Sequence, residues 1–373
     1  MTMASTQPAI VLRGKTTITI ARSGTVPAER TVAMEQADVS ASDLRWGEGR
    51  VLEARLRARQ GDWEGATAPA ASALGGARQY GWTPLLPEAL TVRGEVARGR
   101  GDPALALACL GEARTLCERS GDPRELARVL LSMGTLDLQL GDLRRAAGTL
   151  RRAHALYAEA RDGRAVADCL VARADAACRA RDLEEVAPLL ALAETIHTRH
   201  ANRVGEAEVL QLRADLARAR GDLPAAIQAY RQGIRLYESV GAGPALALLA
   251  GLGASLSRLG RHGDARSALQ RGIRLAQRQG RPGWLGHLHA ILMPVAVARG
   301  DLDALDVHLS QARRWLDETR EVHPDLADAA ELAAAALPDA EQVRVRSLRA
   351  FAHAQRAVLA RGLGPIGEAG GAG

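Results

Sequence analysis

Aromatic residues are scarce in this chain: five Trp, four Tyr and one Phe, or 3% of 373 residues. A core has to be built from smaller side chains, and Ala and Leu supply most of the 47% hydrophobic content. Lysine is almost missing. Lys15 is the only one, so the formal net charge of +6 rests on arginine. That skew, beside abundant Ala and Gly, reflects a GC-rich genome rather than a binding surface. Acids are interleaved with bases (43 against 49), so no long face of one sign exists, and nucleic acid is not an expected partner. No run of 18 apolar residues is present, which excludes a membrane-spanning helix and a membrane partner. A charged-then-apolar leader with a small-residue cleavage site is also missing, so a cytoplasmic location is expected. The four cysteines, Cys109, Cys117, Cys169 and Cys178, have no Cys-x-x-Cys spacing and read as reduced core thiols. Neither His-Glu-x-x-His nor Gly-x-Ser-x-Gly occurs. Nothing therefore marks an enzyme, and no cofactor or metal is expected.

What is present is a period. Gly61-Asp62, Gly101-Asp102, Gly141-Asp142, Arg181-Asp182, Gly221-Asp222, Gly260-Arg261 and Gly300-Asp301 follow one another at steps of 40, 40, 40, 40, 39 and 40 residues. Apolar positions at helical spacing flank these pairs, as in Leu126 to Leu140 and Leu143 to Tyr157. Gly suits the left-handed residue that ends a helix, and Asp suits the N-cap of the next. A second turn falls about half a period later, at Gly81, Gly121, Asp162-Gly163, Ala201-Asn202, Gly241 and Gly280. The chain thus reads as helix, short turn, helix, short turn, which forces antiparallel neighbours. Small residues recur where axes would touch. Ala54, Gly94, Gly134, Ala174, Ala214 and Gly253 precede the turn by seven positions. Larger apolar residues fill the space between: Leu110, Leu150, Leu190, Tyr230, Leu269 and Leu309.

These landmarks resemble the tetratricopeptide-repeat family, whose pattern has a small residue in helix A, a Gly-Asp turn, and Ala, a large residue and Ala in helix B. The resemblance covers residues 41 to 337. The period departs from the family's 34 residues and is similar to the longer variety found in bacterial regulators and signalling proteins. It implies an all-α solenoid, a right-handed superhelix of about seven hairpins. The helices from Asp325 to Leu337 and from Asp339 to Leu363 lack the turn signature and read as a cap, with the capping helix at 338–362.

In the family, helix A lines the concave groove. That places Glu95, Asp175 and Asp215 at one register, with Arg98, Arg179 and Arg218 three or four residues on. These six are the candidate partner-binding residues. The same spacings also suit ion pairs on a solvated helix face.

Other features carry less. Residues 1–40 stand outside the repeat and read as a β-hairpin or an unfolded arm. Residues 363–373 are Gly-rich and read as a disordered tail. Ala9 to Thr16, with Gly14 and Lys15, loosely fits a phosphate loop but lacks the preceding strand and following helix that the mechanism needs. His197 with His200, and His287, His289 and His308, have no completing Cys or carboxylate and do not form metal sets. Arg344, Arg346, Arg349, Arg356 and Arg361 read as the solvated face of the last helix. The resulting expectation is a non-catalytic scaffold that binds a peptide or protein segment in the concave groove. The alternatives are a peptide- or ligand-sensing regulatory module acting with a separate effector, and a nucleotide-binding enzyme using Lys15.

Overall fold

The computed structural model describes residues 28–240 and 246–363, with side chains of the first helix described from residue 43. The chain divides into two units, Met1–Asp43 and Leu44–Gly373. Of the first, residues 28–43 are helical. The β-favouring segments and the phosphate-loop-like stretch before Ala28, and the Gly-rich tail after Leu363, lie outside the described residues.

The described secondary structure is helical, without strands. It runs α1 (Ala28–Arg59), α2 (Trp63–Gln79), α3 (Leu86–Gly99), α4 (Pro103–Ser120), α5 (Pro123–Gln139), α6 (Leu143–Glu159), α7 (Gly163–Arg179) and α8 (Leu183–Arg199). It continues with α9 (Arg203–Ala219), α10 (Leu223–Ser239), α11 (Leu246–Arg258), α12 (His262–Arg278), α13 (Pro282–Ala298), α14 (Leu302–Thr319), α15 (Pro324–Ala336) and α16 (Gln342–Leu363). Odd and even helices pair as consecutive hairpins, and each odd helix from α3 also touches the next odd helix. The two cap helices pack on each other as a further hairpin.

The turn chemistry explains the punctuation. Gly61, Gly101, Gly141, Gly221, Gly260 and Gly300 all have φ between 69° and 87°. Asp62, Asp102, Asp142, Asp222 and Asp301 accept from the amide three residues on, at 2.8 to 3.1 Å. Each pair thus ends one helix and caps the next. Asp182 and Arg261 are the exceptions and make no side-chain cap. Arg161, Arg181, Ala201 and Arg320 hold the left-handed conformation without being glycine (φ 50° to 65°), which costs roughly 1–2 kcal/mol each.

The seam between paired helices is a fit of glycine to leucine. A Cβ on Gly134 would lie 2.6 Å from Leu150 Cγ, and Leu150 is fully buried. Gly253 meets Leu269 in the same way. The pattern of small residues on odd helices and large ones on even helices is therefore a direct packing contact. Cys109, Cys117 and Cys169 are buried free thiols inside this seam, and Cys178 is half-buried.

Candidate functional site

Of the six ladder residues, Glu95 and Arg98 stand on α3, Asp175 and Arg179 on α7, and Asp215 and Arg218 on α9, helices that touch one another in succession through α5. The face of these helices is not simply open. Four residues between α14 and α15, Arg320 to His323, and the first turn of α15 run against it.

Arg98 on α3 donates to the side-chain oxygen of Gln139 at 3.0 Å. Gln139 in turn reaches Glu321 at 3.5 Å, and its carbonyl accepts the Val322 amide at 2.8 Å. Glu95 accepts from Ser132 at 2.6 Å. Arg179 on α7 pairs with Asp175 at 2.8 Å and donates to the Leu138 carbonyl at 3.2 Å. Arg218 on α9 is the most heavily engaged. It donates to Asp325 at 2.7 Å, to Asp215 at 3.3 Å and to the Tyr230 hydroxyl at 3.2 Å. The Tyr230 hydroxyl donates to Asp215 at 2.5 Å.

The spacing did anticipate the pairs Asp175–Arg179 and Asp215–Arg218. A solvated setting for them is not what the structure has: both sit against the chain's own turn. Burial alone would lift the Asp325 carboxyl, but Arg218 and His323 outweigh it and hold it far below the usual range. Burial likewise opposes the Arg218 charge, yet Asp325, Tyr230 and Asp215 keep its guanidinium well above its ordinary range. Glu321 is pushed up by burial, moderated by Arg281 and Arg98.

Two imidazoles share this region. His287 on α13 stacks on Trp284 with centroids 5.1 Å apart and faces His323 at 4.7 Å. Burial lowers its pKa to about 4, and Arg179 and Arg218 add to the effect. His323 caps α15, its Nδ1 accepting the Asp325 amide at 3.2 Å. One ligand-type atom each from His287, His323 and Asp325 lies within 4.8 Å of the others. Of the other histidines singled out, His197 is buried and bonded to Asn202 at 3.1 Å. His289 and His308 face each other at 2.9 Å.

Beyond the turn, the face opens into a cavity of about 450 Å³. Its floor is apolar, from Ala219, Ala254, Ile291, Pro294, Ala329 and Leu332. Its rim is charged. Arg181 is paired with Asp328 at 3.0 Å, and Glu331 with Arg356 at 3.0 Å. Arg258 is exposed and has no ion-pair partner among the described residues. Arg218 and Asp325 form the wall shared with the filled stretch. Sequence reasoning missed this cavity and the turn. The available signal was Arg320-Glu321-Val322-His323, a charged linker where the other half-period turns carry Gly or a small polar residue. On α16, Arg344 is held by Asp306 and Glu341 and Arg356 by Glu331, in keeping with a solvated, internally paired face.

Paired helices stacked along one face define an α-solenoid. Residues 85–159 match the family model for the tetratricopeptide repeat. No curated protein matches the chain in sequence. Among solved structures it is similar to a Rap protein complexed with competence and sporulation factor, at 14% identity and TM-score 0.61, over 86% of this chain and 99% of that one. It is similar to NprR in complex with its cognate peptide NprX, at 14% identity and TM-score 0.62, over 88% and 95%. Aspartyl phosphate phosphatase F from Bacillus subtilis aligns at 14% identity and TM-score 0.54, over 78% and 75%. At such identities the likeness is one of fold. No described helix is long and apolar enough to cross a membrane.

Proposed function

We propose that this protein is a non-catalytic module that binds a peptide or extended protein segment on the face of its odd helices, in the cavity bounded by α9, α11, α13 and α15. The observation that carries the reading is the cavity itself: an aliphatic floor in a volume of about 450 Å³, beside the exposed guanidinium of Arg258, which has no ion-pair partner among the described residues. That combination suits a segment with aliphatic side chains and an acidic group. The six ladder residues act here as the frame. Arg218 reaches the cavity wall and bonds Asp325 directly, Arg98 acts on the Arg320–Asp325 segment through Gln139, and Glu95, Asp175, Arg179 and Asp215 brace the helices beside it.

A second reading has specific support. Two of the fold neighbours were solved in complex with competence and sporulation factor or with a cognate peptide, which favours a peptide-sensing regulator acting through a separate effector. Both readings share the same binding step. The non-catalytic assignment is made although one neighbour is named as a phosphatase, because the six ladder residues are all engaged with other groups of the chain.

The test is selection from a displayed library of short random peptides on the full chain. Selected peptides bind wild type and lose at least about tenfold in affinity with Arg258→Glu or Leu332→Asp, while helicity is unchanged. Peptides that bind those variants as well as wild type would place the site elsewhere.

A further inference from the structure

The turn between α14 and α15 does more than fill space. It carries His323 over His287, with Asp325 beside both. His323 Nδ1 and Asp325 Oδ2 are 3.6 Å apart. Ligand atoms about 2.0–2.1 Å from a tetrahedral zinc ion lie roughly 3.4 Å from each other, so this pair is already near the required spacing. Asp325 divides its oxygens: Oδ1 accepts from Arg218, and Oδ2 is the one near the imidazole. His287 is only 8% exposed, and its Nε2 is buried with no hydrogen-bond partner. A buried polar atom left alone carries a desolvation penalty that a bound ion would remove. Arg179 and Arg218 stand nearby with their charges engaged, Arg179 by Asp175 and Arg218 by Asp215 and Asp325.

We propose that His287, His323 and Asp325 form a transition-metal site of the zinc or cobalt(II) class, which ties the α14–α15 turn to α13. Two imidazoles and one monodentate carboxylate make a three-ligand set, and water completes the tetrahedron. The metal takes the His323 Nδ1 lone pair that the Asp325 amide now uses. Arg218 remains on the other carboxylate oxygen and orients it, as outer partners of metal ligands commonly do. The site shares Asp325 with the cavity wall, but its assignment does not rest on the peptide-binding reading.

The test is titration of the chelator-treated full chain with cobalt(II) chloride, read by visible absorption, followed by displacement with zinc chloride. One equivalent of cobalt(II) gives tetrahedral ligand-field bands, and one equivalent of zinc removes them. His287→Phe, which keeps a ring stacked on Trp284, and His323→Ala each weaken binding by at least about a hundredfold. His289→Gln, at the neighbouring histidine pair, leaves binding unchanged. Circular dichroism of each variant establishes that the helices are intact. Zinc raises the melting temperature of wild type and not that of His287→Phe. Absence of stoichiometric bands, bands that survive in His287→Phe, or bands lost in His289→Gln would each overturn the assignment.

Discussion

The face of the odd helices is built in two ways along its length. From α3 to α9 it is filled by the chain itself: each guanidinium of the ladder meets a carboxylate, an amide oxygen or the Arg320–Asp325 segment. From α9 to α15 the same register carries Ala254 and Pro294 in place of acids, Arg258 has no ion-pair partner among the described residues, and a cavity remains. The fold is identical in both stretches. The difference lies in how charge is satisfied: the filled stretch closes its ion pairs within the chain, and the open stretch leaves a cavity beside Arg258.

The largest effect is expected where the filled stretch meets the open one. Arg218→Ala strands the buried carboxylates of Asp325 and Asp215, and should lose about 3–5 kcal/mol in denaturant unfolding. Replacing Arg218 and Asp325 together with leucine should recover much of that loss. A second contrast lies within the face. Asp325 has a guanidinium at hydrogen-bond distance and stays ionised. Glu208 on α9 has no such bond among the described residues, and burial, with Asp168 adding, raises its pKa to about 7. A carboxyl with a raised folded-state pKa destabilises the fold as pH climbs from about 4.5 through about 7. Glu208→Gln should therefore stabilise the protein at pH 8, by up to ~3 kcal/mol, and change little at pH 4. Equal effects at both pH values would contradict the burial of an uncompensated acid.

The seam beneath both stretches is expected to respond alike. Gly134→Ala drives a methyl into the buried Leu150 and should cost about 1–3 kcal/mol. The turns differ in a smaller way. Ala201→Gly relieves a left-handed alanine and should stabilise by about 1 kcal/mol. Arg181→Gly should gain less, because Arg181 also pairs with Asp328. Smallest of all, Arg258→Glu should leave stability within about 0.5 kcal/mol, since nothing in the fold depends on it. A larger change would mean that Arg258 belongs to the frame.

The hairpins were legible because their signals are local. Gly and Asp at a turn, and Gly opposite Leu across a seam, repeat every 40 residues and need no long-range information. The ion pairs Asp175–Arg179 and Asp215–Arg218 were legible for the same reason, being one helical turn apart. Their burial was not, because it depends on Glu321, Val322 and Asp325, which stand more than 100 residues away from α9 in sequence. The cavity escaped notice because Ala254, Ile291, Pro294 and Leu332 come from three different helices and carry no motif that joins them. Only the packing of successive hairpins shows that they face open space. His287 and His323 do not stand at matching turn-relative positions, so their convergence is invisible to a periodic reading.

Site-specific photo-crosslinking tests the central claim most directly. A benzophenone side chain placed at Leu332, in the cavity, should capture a selected peptide in high yield, whereas the same group at Leu192, exposed on α8, should capture almost none. Efficient capture at Leu192 with none at Leu332 would show that the partner binds the even-helix surface and that the open stretch of the inner face is not the binding site.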